Sequence, residues 1–305
     1  MLLGCREGVD LPVSRSESDF DSDMLVPNEV RRCVAFAAMQ MANGEMRLVG
    51  TVFFLGKEIQ GTDRWWHYFV TAKHVIEGIR DKGLTKVFIR LNFKDGQSRW
   101  AKTDISAWHF HPTNSRVDAA ALRATLPEES DHLVYPLSRI VTPAVIESEQ
   151  IGHGSEVFLV GLFAHHSGQQ RNIPIIRVGN IAALPEEPVE TRSGSIDAYL
   201  IEARSIGGLS GSPVFVHLGV VRVHEGQLKF SKGGTVFYLL GLMHGHWDVG
   251  LSDLDHAAPE ADTQGKQRVN MGIGIVVPSE QIREVIDQPA ILEKEAKVVA
   301  EIKSA

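Results

Sequence analysis

The chain has 305 residues, of which 43% are hydrophobic and 23% charged, with 31 Lys and Arg against 38 Asp and Glu for a formal charge of −7. That balance is ordinary for a folded globular protein; it excludes a largely disordered chain and speaks against a broad polyanion-binding surface, so no nucleic-acid partner is expected. Two cysteines, Cys5 and Cys33, cannot supply a disulfide framework, and there is no Cys-x-x-Cys metal knuckle. No apolar run approaches the roughly 20 residues that span a bilayer. The opening Met-Leu-Leu-Gly-Cys-Arg lacks the basic and apolar regions of a secretory signal. The expectation is a cytoplasmic chain without membrane association.

Residues 1–27 are polar, with Glu17, Asp19, Asp21 and Asp23 close together, and read as a flexible acidic arm. From residue 28 to 130 short β-rich runs alternate with turn residues: Arg32–Gln40, Arg47–Leu55, Trp66–Thr71, Lys86–Phe93, Ser98–Thr103 and Val117–Arg123. Six such runs predict a closed antiparallel barrel. A polar connection over Leu126–Val145 leads into a second set within 131–288: Glu156–Phe163, Ile173–Ala183, Ala198–Ala203, Ser212–His217, Thr235–Met243 and Met271–Val277. The stretch from Trp247 to Asn270 reads as a polar loop insertion. Helical signal is confined to the end, where Pro278-Ser279-Glu280-Gln281 resembles an N-terminal cap and a tail over 289–305 carries Ile291, Leu292, Val298, Val299 and Ile302. The expected fold is therefore all-β, with two six-stranded antiparallel barrels and a C-terminal helix.

Three motifs carry chemistry, in the order His, Asp, Ser. Phe69-Val70-Thr71-Ala72-Lys73-His74-Val75 is a strand running into a histidine. Arg116-Val117-Asp118-Ala119-Ala120-Ala121-Leu122 is an aspartate opening an apolar strand. Gly207-Gly208-Leu209-Ser210-Gly211-Ser212-Pro213-Val214-Phe215 is a serine in a glycine-rich turn. A serine hydroxyl needs an adjacent imidazole to take its proton, and the imidazole needs a carboxylate to fix its tautomer. A developing oxyanion needs backbone N–H donors in a tight turn, a role that Gly208 and Ser210 can fill. Asp104, at the end of an earlier strand, is the competing acid; it lacks the apolar run that follows Asp118.

On these motifs the sequence resembles the chymotrypsin-fold serine peptidases. Thr71-Ala72-Lys73-His74-Val75 looks like the family's histidine motif and Gly208-Leu209-Ser210-Gly211-Ser212-Pro213 like its serine motif. The Lys before His74 and the Pro-Val-Phe ending resemble bacterial glutamyl endopeptidases, and Gly272-Ile273-Gly274-Ile275-Val276-Val277-Pro278-Ser279 is similar to the last strand of Deg-type proteases. The resemblance implies a serine endopeptidase with the triad His74, Asp118 and Ser210, an oxyanion hole at Gly208 and Ser210, a polypeptide substrate and no cofactor. It also implies departures: no Ile-Val-Gly-Gly activation point, no room after Gln288 for a PDZ domain, and Leu209 where Asp or Asn commonly precedes the serine. Leu209 and the insertion motivate an alternative from another class, a latent or inactive peptidase-fold protein that binds peptides or a partner and is switched on by it.

By the same resemblance the specificity pocket falls to Arg204, Ser205 and Ile206 facing Met243, His244, Gly245 and His246. With no acidic residue at its floor, an acidic or Gln P1 side chain competes with a small or apolar one. Pairing Ser205 with His244 against an acidic side chain requires a bulge, because a one-residue slip turns a strand side chain to the opposite face. No metal site is expected: the pairs His109/His111, His165/His166 and His244/His246 each lack a third ligand at a motif-like distance.

Overall fold

The computed structural model describes residues 26–191, 194–203, 208–219, 221–224, 227–230, 236–250 and 268–304, with the backbone alone described at 221–224, 227–230, 246–250, 268–271 and 301–304. The acidic arm up to residue 25 and the pocket residues Arg204, Ser205 and Ile206 lie outside the described residues, as does 251–267 of the insertion.

In the first half, β1 (Val34–Gln40), β2 (Met46–Glu58), β3 (Trp65–Thr71), β4 (Lys86–Asn92), β5 (Ser98–Asp104), β6 (His109–Phe110) and β7 (Ala120–Ala124) pair in the order β5-β4-β1-β2-β3-β7-β6, and β8 (Tyr135–Pro136) adds to β2. The sheet is antiparallel except at β8 and stays open between β5 and β6, where a closed six-stranded barrel was expected. The second half contains β9 (Glu156–Gly161), β10 (Ile175–Ala183), β11 (Val189–Thr191), β12 (Gly194–Ile196), β13 (Tyr199–Glu202), β14 (Pro213–Leu218), β15 (Val221–His224), β16 (Gln227–Phe230), β17 (Val236–Gly250) and β18 (Arg268–Pro278). Six of these close a barrel in the order β10-β13-β18-β17-β14-β9, while β11-β12 and β15-β16 are separate hairpins. The ends of the insertion extend the β17–β18 ladder, with Asp248 opposite Asn270 and Gly250 opposite Arg268.

Helices are α1 (Lys73–Arg80), α2 (Pro143–Glu149), α3 (Ser279–Ile286) and α4 (Pro289–Ser304). The first two depart from the expectation of helix only at the end. α1 is two turns long, too short for a periodicity window, but it buries Val75, Ile76 and Ile79 on one face. α2 starts where Thr142 Oγ1 accepts from Val145 N–H at 3.2 Å and Pro143 occupies the first helical position. None of the described helices is long and apolar enough to cross a membrane.

One apolar core spans the two halves, and a second lies inside the second barrel. Phe158, Phe215 and Phe237 from the second barrel pack with Tyr135 of the first half at ring separations of 4.9 to 5.7 Å, and the Tyr135 hydroxyl donates to Phe237 O at 2.7 Å. Ile282, Val285 and Ile286 of α3 and Ile291 of α4 join that core. α4 is tied down by Glu295, whose carboxylate receives Lys57 Nζ at 3.1 Å and the Tyr68 hydroxyl. A seam packed this way holds side chains from both halves in fixed relation, as a site built across it requires. Cys33 is buried in the same core and its thiol is pushed up to about 12 by burial, which makes it an inert apolar residue.

Candidate active site

Strand β3 delivers the chain to Thr71, and α1 begins two residues later at Lys73, so His74 stands in the helix's first turn. The first N–H groups of a helix have no acceptor within it. Asp118 supplies one: the His74 backbone N–H donates to Asp118 Oδ1 at 2.8 Å, and the ring Nδ1 lies 2.7 Å from Oδ2. One carboxylate thus orients both the backbone and the imidazole, and an ionised acceptor assigns the Nδ1 proton to the ring. Nε2 is left as the nitrogen that can accept a proton.

Asp118 sits just before β7, between the buried Val117 and Ala119, and is only 7% exposed. Burial works against its charge, yet the hydrogen bonds from His244 and His74 hold its carboxyl far below the ordinary carboxylate range. For His74, burial opposes protonation, but the Asp118 bond and charge outweigh it and raise the imidazole above its usual value. Asp104 is excluded from this role: it lies on the surface, paired with Lys86.

The second donor, His244, comes from a bulge. Along β17 and β18, Met243 pairs with Val276 and Gly245 with Ile275, leaving His244 as the extra residue. A bulge breaks the strand's alternation and re-aims one side chain. Met243 faces the second core and is fully buried, while His244 Nδ1 reaches Asp118 Oδ2 at 2.5 Å. Its ring meets the His74 ring edge-on at 5.5 Å. The bulge that the pocket expectation required is present, but it delivers His244 to Asp118. The expectation that Met243 lines a pocket is corrected, because its side chain is closed into the core. Gly245 follows the bulge with open space beside its Cα, and the His246 side chain lies outside the described residues.

The serine turn is held from three sides. Leu209 is fully buried in the second core, so the residue unusual at this position anchors the turn by packing. Gly208 (φ +102°) and Gly211 (φ +81°) take the left-handed conformation that glycine tolerates, and a Cβ on Gly211 would lie 2.3 Å from Thr71 Oγ1. Gly211 N–H donates to Met243 O, and Met243 N–H to Ser212 O, both at 2.8 Å. The third support, Thr51 on β2, escaped sequence reasoning altogether. Its hydroxyl donates to Gly208 O at 3.1 Å and accepts from Leu162 N–H at 2.9 Å and from the Ser212 hydroxyl at 3.1 Å; its N–H donates to Ser210 O at 2.9 Å. A threonine inside an apolar run, Val52-Phe53-Phe54-Leu55 following it, is the only signal that could have pointed there.

Ser210 Oγ donates to His244 O at 3.3 Å, and among the described residues no hydrogen bond joins it to His74. The N–H groups of Gly208 and Ser210 have no acceptor among the described residues. His74, Asp118, His244 and Ser210 are therefore contiguous at the seam, the first two from one half and the last two from the other. Of the other histidines singled out in the sequence, His111 pairs with Glu284 at 2.6 Å, and His165 and His166 lie in a one-turn 3₁₀ helix. A small cavity of about 40 Å³ lined by Asn114, Arg116, Val117 and Ser195 flanks the Asp118 loop.

No protein-family model matches the chain, and no curated protein matches it in sequence. Among solved structures, the protease domain of MamO from Magnetospirillum magneticum in its apo form is similar at 14% identity and a TM-score of 0.49, covering 86% of this chain and 99% of that one. Deg5 is similar at 16% identity and a TM-score of 0.40, covering 71% of this chain and 81% of that one. The double-β architecture stands on the chain's own strand pairing.

Proposed function

We propose that the protein is a serine endopeptidase working through an acyl-enzyme. The observation that carries this reading is Asp118 bonded at once to the backbone and ring of His74, beside a glycine turn that presents Ser210 from the opposite half. Ser210 Oγ attacks the scissile carbonyl carbon as its proton passes to His74 Nε2, while Asp118 keeps the Nδ1 proton in place and stabilises the imidazolium. The carbonyl oxygen, now an oxyanion, accepts from the N–H groups of Gly208 and Ser210. Collapse breaks the C–N bond, His74 returns the proton to the departing amine, and water then hydrolyses the Ser210 ester by the same relay. A turn of the Ser210 hydroxyl away from the His244 carbonyl precedes attack; one side-chain rotation of this kind is a small step for a partly exposed residue. A fluorophosphonate probe is expected to label the wild type and not Ser210→Ala. Labelling that survives the substitution overturns the assignment.

The orientation of Ser210 toward His244 O favours a second reading, a latent peptidase-fold protein whose seam binds peptides until a protein partner realigns the serine. Peptide binding without probe labelling, with labelling appearing on addition of cell lysate, identifies that form.

A further inference from the structure

We propose that His74, Asp118 and His244 form a site for a divalent transition-metal ion, zinc-like in preference, whose occupancy blocks the serine chemistry. One nitrogen of each ring and one carboxylate oxygen lie within 4.8 Å of one another, and this is the only group of three such residues among the described residues. Bonds of about 2.0–2.2 Å to zinc put tetrahedral ligands about 3.4 Å apart. The two Nδ1–Oδ2 separations of 2.7 and 2.5 Å are hydrogen bonds, so a cation that replaces the bridging protons needs the groups to part by less than 1 Å. Nothing has to be ionised for this: a neutral imidazole can carry its proton on either nitrogen and offer the other lone pair.

Charge and ligand type agree. Two neutral imidazoles and one ionised carboxylate sum to −1, complementary to a divalent cation, and two nitrogen donors favour zinc, cobalt, nickel or copper over calcium or magnesium. The Asp118 carboxylate is buried and the His244 ring is largely so, while the His74 side chain is 42% exposed and opens the group to solvent as an entry path. Three protein ligands leave a fourth position for water, the arrangement of an accessible metal site. The bulge at His244 gives the site its second nitrogen. An ion held here occupies the imidazole that must accept the Ser210 proton, so metal binding and peptide hydrolysis exclude each other. That regulatory consequence rests on the hydrolytic reading; the binding itself does not.

Cobalt(II) as the spectroscopic probe and zinc by calorimetry test the site on the full chain. The expected result is one equivalent bound, with the intense visible absorption of tetrahedral cobalt, in both the wild type and Ser210→Ala. His244→Ala should weaken binding by about 100-fold or more, since even outer partners of a metal ligand are worth 10–100-fold. Absence of the tetrahedral signal in the wild type, or its persistence in His244→Ala, overturns the site. If His244→Ala does not fold, His74→Ala, which alters a partly exposed ring, decides in its place by the same two outcomes. Where the wild type is labelled by the fluorophosphonate probe, zinc should suppress labelling and a chelator restore it. Labelling unchanged at saturating zinc overturns the regulatory consequence, and lack of any labelling counts against the hydrolytic reading while leaving the cobalt result to decide the metal site.

Discussion

His74 and Asp118 are both carried by the first half and locked by two direct bonds, whereas Ser210 is carried by the second barrel and held through its neighbours. The acid–base pair is polar, local and self-contained: a carboxylate caps α1 and fixes the ring that α1 presents. The serine turn is positioned by Leu209 packing below it, by glycines that let the chain double back, and by Thr51 reaching across the seam. The difference teaches that the two parts of the site should fail differently. Damage to the pair should remove chemistry while leaving the fold, and damage to the turn's supports should cost fold stability first.

The largest expected effect is at Asp118. Asp118→Asn keeps the shape but can offer its amide to His74 and favour the wrong tautomer, with an expected drop in probe-labelling rate of about 10⁴-fold. A loss of under tenfold would mean that His74 does not depend on this carboxylate. The opposite signature is expected of Leu209→Ala. Emptying a fully buried leucine site should cost about 2–5 kcal/mol, read as a lower denaturant midpoint at unchanged slope. An unchanged midpoint would remove packing as the anchor of the turn.

Acid sensitivity sharpens the comparison on the side of the first half. His67, on the strand that leads to His74, is pushed down to about 4 by burial and by the neighbouring charge of His132, and its Nε2 has no hydrogen-bond partner among the described residues. The folded state therefore resists a proton that the unfolded chain accepts near 6.5, so stability is full above that pH and is lost as pH falls toward 4. The full window is worth about 3 kcal/mol. Urea titrations at a series of pH values should show this slope, and His67→Phe should flatten it; an equal slope in the variant would reassign the acid sensitivity to other groups.

Thr51→Val is expected to be the mildest in stability. It keeps volume but strands Leu162 N–H and Gly208 O at a buried seam, at about 1–3 kcal/mol. Because Thr51 touches the turn directly, labelling at Ser210 should also slow under conditions where the variant is fully folded. Loss of stability with an unchanged labelling rate would make Thr51 a purely structural bond.

Much of the candidate site was legible in the chain because the chemistry proposed for it demands particular residue types in tight local patterns. The strand into His74, the Asp118 that precedes an apolar run, and the glycines around Ser210 each follow from local sterics and acid–base requirements. Twelve strand positions could be read from alternating and apolar runs for the same local reason. What needed three dimensions was everything set by contacts between distant segments. Two turns of helix at α1 gain their stability from the core beneath them, so they leave little trace in a sequence window. The first sheet's open edge depends on which strands pair. Above all, a bulge is a difference in count between two paired strands, which no single strand can announce. That one extra residue turns His244 from an expected pocket wall into a second imidazole on Asp118, and Thr51 becomes part of the serine turn only because the fold brings β2 against it.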